Sequence, residues 1–166
     1  MVTIERLGES DWADFREIRL RSLLDTPDAY GSTYGEESAN TDRAWRDWAA
    51  GRWRGGTAAV FAGRAEDGAL VGTATAAAYD AEEDVAHVYA MWVAPDARGA
   101  GVGRALLDAV ERWARDRGSG RLALAVTERN EGARRFYEAC GFVDTGDRDP
   151  LRDGSPLRTL IYAKHL

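Results

Sequence analysis

The chain has 166 residues, of which 45% are hydrophobic and 30% charged, a composition typical of one globular domain with one core. Its net charge of −6 argues against a nucleic-acid-binding surface, which needs excess positive charge. With one cysteine, Cys140, and only His87 and His165 as histidines, we expect no disulfide within the chain and no metal site. No apolar run is long enough to span a membrane and the N-terminus lacks a secretory pattern, so we expect a cytoplasmic protein with one domain over residues 1–166.

The first half of the chain predicts a strand, two helices and three more strands. After a β-rich run at residues 2–7, Ser10 is the expected N-cap of a helix that ends near Leu24. Thr41 is the expected cap of a short second helix carrying two tryptophans. Alternating or continuous apolar patterns then predict three strands, at residues 57–64, 70–79 and 85–93.

The second half predicts two helices and three strands. Apolar residues recur at helical spacing from Val102 to Trp113, and Gly118 ends that helix. Asn130 is the expected cap of the last helix, which Gly141 ends. Strands are expected at residues 121–126, 142–145 and 157–163. The order β-α-α-β-β-β-α-β-α-β-β predicts an α/β (α+β) fold, a mixed sheet with helices on both faces.

A glycine-rich turn lies between the central strand and the helix that begins at Val102. Gly99, Gly101 and Gly103 allow close approach of a ligand, and a helix N-terminus offers free N–H groups and a positive dipole end. Together they predict a seat for a pyrophosphate, with Arg98 and Arg104 adding charge. The Gly-Lys-Ser/Thr triplet of a P-loop is absent, as is the third glycine of a dinucleotide fingerprint. A glycine turn without a ligand stays open as the alternative.

Two motifs together resemble the GNAT superfamily of N-acetyltransferases. Arg98, Gly101 and Gly103 match the pattern Arg/Gln-x-x-Gly-x-Gly/Ala between a strand and a helix. The segment from Asn130 to Phe142 is similar to the family's pattern Asn-x-x-Ala-x-x-x-Tyr-x-x-x-Gly-Phe. The resemblance implies a mostly antiparallel sheet and acetyl-CoA as cosubstrate. It also implies transfer of the acetyl group to a primary amine, by direct attack on the thioester, in a small molecule or in a protein or peptide.

The resemblance also implies where the cofactor binds. Backbone amides of residues 99–104 would hold the CoA pyrophosphate, and the backbone of residues 91–93 would pair with the pantetheine arm and polarise the thioester carbonyl. As side chains, Met91 and Trp92 are expected to pack in the core. Asn130 would contact the cofactor arm while capping its helix. The implied cofactor residues are Met91, Trp92, Val93, Arg98, Gly99, Ala100, Gly101, Val102, Gly103, Arg104 and Asn130.

Two residues are candidates for proton transfer. Tyr137 matches the family's general acid, which would protonate or stabilise the departing CoA thiolate, with packing in the core as the alternative. Many members carry a glutamate base on the central strand two residues before a tyrosine, and that position here is His87. A histidine titrates near neutrality, so His87 is the candidate base, with a structural role as the alternative. The other family position for a glutamate base is matched by Ala125.

Further acids follow the second of the three strands, where Glu82, Glu83 and Asp84 could relay a proton through water or form a solvated turn. The amine acceptor is expected against residues 26–37, with Tyr30 and Tyr34 lining its pocket, or that segment is a surface loop with acidic helix-start residues. We expect acetyl-CoA and an amine as partners and neither nucleic acid nor membrane, and a homodimer stays open. The alternatives to an enzyme are a non-catalytic acyl-CoA sensor and, ranked last, a nucleotide-binding regulator.

Overall fold

The computed structural model describes residues 1–82 and 84–166, so Glu83 of the predicted acidic relay lies outside the described residues. Its helices and strands follow the predicted order, with one short helix and one short strand added. In chain order they are β1 (Val2–Arg6), α1 (Trp12–Asp25), α2 (Tyr34–Ser38), α3 (Asp42–Ala49), β2 (Arg52–Trp53), β3 (Gly56–Ala65), β4 (Leu70–Ala78), β5 (Val85–Val93), α4 (Val102–Asp116), β6 (Arg121–Thr127), α5 (Glu131–Ala139), β7 (Val143–Pro150) and β8 (Arg158–His165).

The strands form one sheet in the order β1-β3-β4-β5-β6-β8-β7, with β2 paired to β3 at one end. Every neighbouring pair is antiparallel except β5 and β6, which are parallel. The predicted mixed, mostly antiparallel sheet is therefore confirmed. No helix within residues 1–82 and 84–166 is both long enough and apolar enough to cross a bilayer.

Helices cover both faces of the sheet, as predicted, and each face has its own hydrophobic core. On one face α4 and α5 pack on the central strands, with Leu106 and Val110 fully buried. On the other face α1 and α3 enclose an aromatic core in which Phe15 packs edge-to-face on Trp45 and Trp48. Both cores fix the orientation of β5, the strand that carries His87 and the predicted backbone contacts of residues 91–93.

Strands β5 and β6 separate after a short stretch of pairing, which opens the middle of the sheet. Only Val85–His87 of β5 pairs with β6, at residues 121–123, and the rest of the two strands diverge. On its other side β5 contains a bulge, where Ala90 and Met91 together lie opposite one residue of β4. Ala90 has φ 52°, a left-handed conformation that costs a non-glycine residue about 1–2 kcal/mol. A bulge leaves a backbone group unpaired and turns side chains toward a site.

One local prediction was wrong. Ser10 does not cap α1, because the side chain of Asp11 accepts a hydrogen bond from the Gly8 amide at 2.8 Å and closes a 3₁₀ turn at Glu9–Asp11 before the helix. Helix α2 begins inside residues 26–37, the segment expected to form an acceptor wall or a surface loop with acidic helix-start residues. Its start is a capping box, since the Thr33 hydroxyl accepts from the Glu36 amide and the Glu36 carboxylate accepts from the Thr33 amide.

Candidate active site

A pocket of about 510 Å³ lies where β5 ends and α4 begins. Helix α4 starts after Gly101, which has φ 82°, and no side chain among the described residues caps it. Gly99 and Gly101 line the pocket, and a Cβ on either would meet nothing within 4 Å. The uncapped N–H groups and the dipole of α4 therefore favour an anionic group in this pocket. Its lining residues are Met91, Trp92, Val93, Ala97, Arg98, Gly99, Gly101, Gly103, Arg104, Gly132, Ala133, Phe136 and Tyr137.

Arg98 is held by the protein itself. Its Nε donates to the Val93 carbonyl at 2.9 Å and its Nη2 to Oδ2 of Asp25 at 2.8 Å. The same carboxylate oxygen accepts from the Trp92 indole at 2.9 Å. The hydrogen bonds from Trp92 and Arg98 hold the pKa of Asp25 below its usual value. Asp25, at the end of α1, thus ties the glycine turn to the central strand, and the Trp92 side chain is buried as expected.

The other predicted cofactor residues divide into backbone and side-chain contributors. The Val102 side chain is buried in the core, and Ala100 is exposed and outside the pocket lining, so each can offer only its backbone. Arg104 lines the pocket but pairs with Asp108 one turn along α4, at 2.9 Å. The Asn130 side chain accepts from the Ala133 amide at 3.2 Å, so it caps α5 as predicted, and it faces the neighbouring cleft.

A second cavity, a cleft of about 620 Å³, opens between the separated strands and the segment after α1. Met91 and Tyr137 line both this cleft and the pocket at the glycine turn, so the two cavities meet at these residues. The cleft is lined by Arg19, Ala29, Tyr30, Gly31, Ser32, Glu36, Trp48, Trp53, Arg54, Val88, Tyr89, Ala90, Met91, Leu124, Ala125, Val126, Thr127, Asn130, Tyr137, Asp149, Pro150, Leu151 and Thr159.

Tyr137 lies on α5 and is 8% exposed. Burial raises its pKa, so the hydroxyl remains protonated and can donate a hydrogen bond at neutral pH. The ring packs edge-to-face on Phe136 and Phe142, which fixes its direction. The packing role and the functional role that the sequence left as alternatives are therefore compatible in this residue.

His87 is not among the residues that line the cleft. Its Nε2 contacts the Glu82 carboxylate, and its ring stacks on Tyr89 with 5.9 Å between the centroids. Tyr89 does line the cleft, so His87 lies one layer behind the wall. The candidate base and the structural role that the sequence left open for His87 both stay predictions, with the imidazole beside the cleft rather than in its lining. Asp84 accepts a hydrogen bond from the Gly120 amide, which gives it a structural role in the loop before β5.

The structure separates the two predicted acceptor tyrosines. Tyr30 is buried and lines the cleft, whereas Tyr34 begins helix α2, is 41% exposed and lies outside the cleft lining. The sequence missed Arg19, which is buried against Glu37 in a bidentate pair with distances of 2.7 and 2.8 Å. It also missed the cleft-facing Trp53 and Arg54 at the β2–β3 turn. No local motif marks them, because α1, α3 and that turn meet only in the folded chain.

Within residues 1–82 and 84–166, no three histidine, cysteine or carboxylate side chains are grouped as metal ligands would be. A mixed sheet split at its centre, with an uncapped helix beside the split, defines the architecture of a CoA-dependent acyltransferase. The sequence profile of the acetyltransferase (GNAT) family matches residues 12–142. The chain therefore belongs to this family, and the resemblance inferred from the two motifs is confirmed.

Known proteins extend the comparison. Streptothricin acetyltransferase of Streptomyces lavendulae is 37% identical over 96 residues, which are 58% of this chain and 50% of that protein. The chain thus matches about half the length of this curated relative. Nourseothricin acetyltransferase, known from a crystal structure, is 32% identical in sequence to this chain. The structural alignment covers 65% of each chain and has a TM-score of 0.61. The protein yncA of Salmonella typhimurium, solved with its cofactor acetyl-CoA, shares the fold at a TM-score of 0.79, with 22% identity over 100% of this chain and 94% of that one.

Proposed function

We propose that this protein is an acetyl-CoA-dependent N-acetyltransferase that moves the acetyl group to a primary amine. The observation that carries the proposal is the meeting of two cavities at Met91 and Tyr137. One cavity has the uncapped helix that suits a pyrophosphate, and the other is a separate cleft in which a second substrate fits. An enzyme that joins two substrates needs this arrangement, because their reacting atoms must meet.

The glycine turn is the proposed seat of the CoA pyrophosphate. Backbone amides of residues 99–104 donate to the phosphate oxygens, and Arg104 adds a positive charge nearby. Arg98 acts indirectly, since its guanidinium holds the turn through the Val93 carbonyl and Asp25. The unpaired edge of β5 beyond His87 offers the pantetheine arm a strand to pair with. Asn130 faces the same opening from the start of α5.

Acetyl-CoA supplies a thioester whose carbonyl carbon the amine attacks. The bulge at Ala90 and Met91 frees a backbone N–H of β5 at the meeting point, where it polarises the thioester carbonyl. Tyr137 is the proposed acid, because it is protonated at neutral pH and lines both cavities. Its hydroxyl donates to the sulfur as the bond to CoA breaks.

The amine must also lose a proton. The carboxylates in the cleft lining are those of Glu36, which is occupied by the Thr33 amide, and Asp149. The His87–Glu82 pair lies behind Tyr89. We therefore propose that His87 takes part only through water, as one of several routes by which the proton reaches solvent.

Two measurements test the proposal. Calorimetric titration with acetyl-CoA should show binding, and release of free CoA should depend on an added amine in a panel of amino acids, polyamines, aminoglycosides and N-terminal peptides. Binding without release across the whole panel would favour the alternative function, a non-catalytic acyl-CoA sensor. Absence of acetyl-CoA binding would refute both.

A further inference from the structure

Four side chains in the cleft lining have hydrogen-bonding atoms with no partner among the described residues. They are Nη1 of Arg19, the hydroxyl of Tyr30 and the indole N–H groups of Trp48 and Trp53. Each of these residues is more than nine-tenths buried, and the atoms are shielded from bulk solvent. Other unpaired atoms, on Trp45, Thr73 and Thr75, belong to residues outside the cleft lining.

The four form one contiguous group, which we call the donor wall. The Arg19 guanidinium lies 4.3 Å from the centre of the Tyr30 ring and 5.6 Å from that of Trp48. The rings of Trp48 and Trp53 are 3.7 Å apart. Nε and Nη2 of Arg19 donate to the Glu37 carboxylate, which fixes the guanidinium, and Nη1 has no partner among the described residues. The wall is therefore held in place by the fold before any ligand is bound.

All four groups donate hydrogen bonds, and three of them can do nothing else. Unpaired buried donors are costly, so a site that retains several of them is shaped for a ligand that brings acceptor oxygens. Ser22 and Thr26 donate their own hydroxyl protons to backbone carbonyls, and no hydrogen bond joins either of them to the Tyr30 hydroxyl. A protonated amine has no lone pair, so a ligand whose only polar groups are ammonium groups would leave the wall unsatisfied.

Charge favours an anionic oxygen over a neutral one. The charge of Arg19 is balanced by Glu37, but Arg54 forms no salt bridge with any described residue. Its guanidinium stacks on the Trp53 ring at 4.6 Å and faces the same cleft. Asp149 on β7 and Glu36, which also accepts from the Thr33 amide, give the cleft carboxylates that suit an ammonium group. A ligand with a carboxylate and an amine close together matches both features.

We propose that the acceptor is an amino acid or a close analogue, whose carboxylate binds the donor wall and Arg54 while its amine faces Met91 and Tyr137. The inference deepens the proposed N-acetyltransferase function and depends on it. Tyr30 and Tyr137 line the same cleft, so the donor wall and the meeting point of the two cavities share one space. An α-amino acid, with its two groups a few bonds apart, is small enough to enter a cleft of about 620 Å³.

Matched acceptors provide the test. The twenty common L-amino acids, their carboxamides and their decarboxylated amines are assayed for CoA release with saturating acetyl-CoA. We expect at least one amino acid to exceed both of its matched amines at least tenfold in kcat/KM. Equal or better turnover of amines without the carboxylate, or no turnover of any amino acid, overturns the inference. If the inference fails but calorimetry still shows acetyl-CoA binding, the proposed cofactor stands. If any amine is also acetylated, the proposed N-acetyltransferase function stands in full.

Variants locate the carboxylate. Tyr30→Phe and Trp53→Phe each remove one donor and keep an aromatic ring. Each should raise KM for the preferred amino acid about fivefold or more, while KM for its decarboxylated amine, which lacks the acceptor oxygens, is unaffected. Trp12→Phe, at a tryptophan outside the cleft, is the matched control and should change neither. Arg54→Gln should act like the wall variants, with Arg52→Gln as its control. Tyr30→Phe should keep or raise the melting temperature, whereas Trp53→Phe should lower it because a smaller ring leaves a void beside Trp48. Acetyl-CoA binding measured by calorimetry should be unchanged in both, which separates lost acceptor binding from lost folding. A carboxylate preference that survives Tyr30→Phe, Trp53→Phe and Arg54→Gln would refute this placement.

Discussion

Tyr137 combines two properties that seldom coincide, since it is buried among aromatic rings and also lines both cavities. Because burial raises its pKa, the hydroxyl does not titrate near neutrality, and its contribution should be constant across neutral pH. We expect Tyr137→Phe to lower kcat about a hundredfold to ten-thousandfold, with acetyl-CoA affinity little changed. Steady-state kinetics at several pH values and calorimetry measure the two effects. Wild-type turnover in the variant would leave Tyr137 with packing alone.

His87 should matter less than a base in contact with the amine. Its ring is one layer behind Tyr89 and contacts Glu82, so its removal leaves the cleft lining intact. We expect His87→Ala to reduce kcat/KM by no more than about tenfold, below the usual effect of a direct base. The fall of kcat/KM toward acidic pH should persist in the variant, because the amine itself must be deprotonated. If that dependence disappears with the imidazole, His87 is the base after all.

The sequence located some of these residues and missed others for a definite reason. Tyr137 and Asn130 were found because they share one helix and a fixed spacing. The sequence did not distinguish Tyr30 from Tyr34, because helix α2, which turns Tyr34 toward solvent, was not predicted. His87 was predicted from its position on β5, but the stacking with Tyr89 that sets it back depends on side-chain packing.

At the level of elements, the glycine turn and α4 offer a comparison within one helix. Gly101, before the helix, has φ 82°, Gly118, after it, has φ 80°, and a Cβ on either would meet nothing within 4 Å. An alanine at either position should therefore lose about 1–2 kcal/mol of stability from left-handed strain alone. We expect only Gly101→Ala to weaken acetyl-CoA binding as well, because of the two glycines only Gly101 lies in the turn that lines the pocket. Urea unfolding and calorimetry on both variants separate strain from binding, and equal affinity in the two would contradict the assignment of the pyrophosphate seat.

Helix α1 reaches this turn through Asp25. A lowered pKa means that the ionised carboxylate is favoured in the folded protein, so its contribution is complete above the unfolded value of about 4 and is lost as pH falls through the lower folded value. We therefore expect the hydrogen bonds from Arg98 and Trp92 to Asp25 to be unchanged between pH 7 and about pH 5. At neutral pH, Asp25→Asn should weaken acetyl-CoA binding several-fold, since Arg98 loses its charged partner. Asp14→Asn, on the exposed side of the same helix, is the control, and equal binding in both variants would argue against the tie.

Elements with strong local signals were predicted well, and elements set by tertiary contacts were not. The periodic apolar stripe of α4 and its glycine ends gave its bounds almost to the residue. Helix α2 has five residues and no apolar stripe, and its stability comes from a capping box and the Arg19–Glu37 pair. Strand β7 is exposed along its length and pairs only with β8, so its polar sequence gave no sign that it extends to Pro150.

At the scale of the whole molecule, the separation of β5 and β6 is both the site and a weak point of the sheet. The strands share a short parallel pairing, whereas two hydrophobic cores hold the halves together from either face. The site is therefore assembled from segments far apart in the chain, such as Arg19, Tyr89 and Asp149. Sequence analysis finds motif residues near one another but has no measure of such assembly.

A ligand that bridges the separated strands should stabilise the entire fold. Binding to the folded state alone adds about 2.7 kcal/mol at a ligand concentration one hundred times Kd. For a domain of this size, each kcal/mol raises the melting temperature by about 2–4 °C, so acetyl-CoA should raise it by about 5–10 °C. Gly118→Ala should melt lower than wild type but show the same increase, whereas Gly101→Ala should melt lower and show little increase. Pantetheine, which lacks the pyrophosphate, should shift the wild-type protein far less, because the seat at the start of α4 stays empty. A shift from pantetheine as large as that from acetyl-CoA would mean that the glycine turn contributes little to binding.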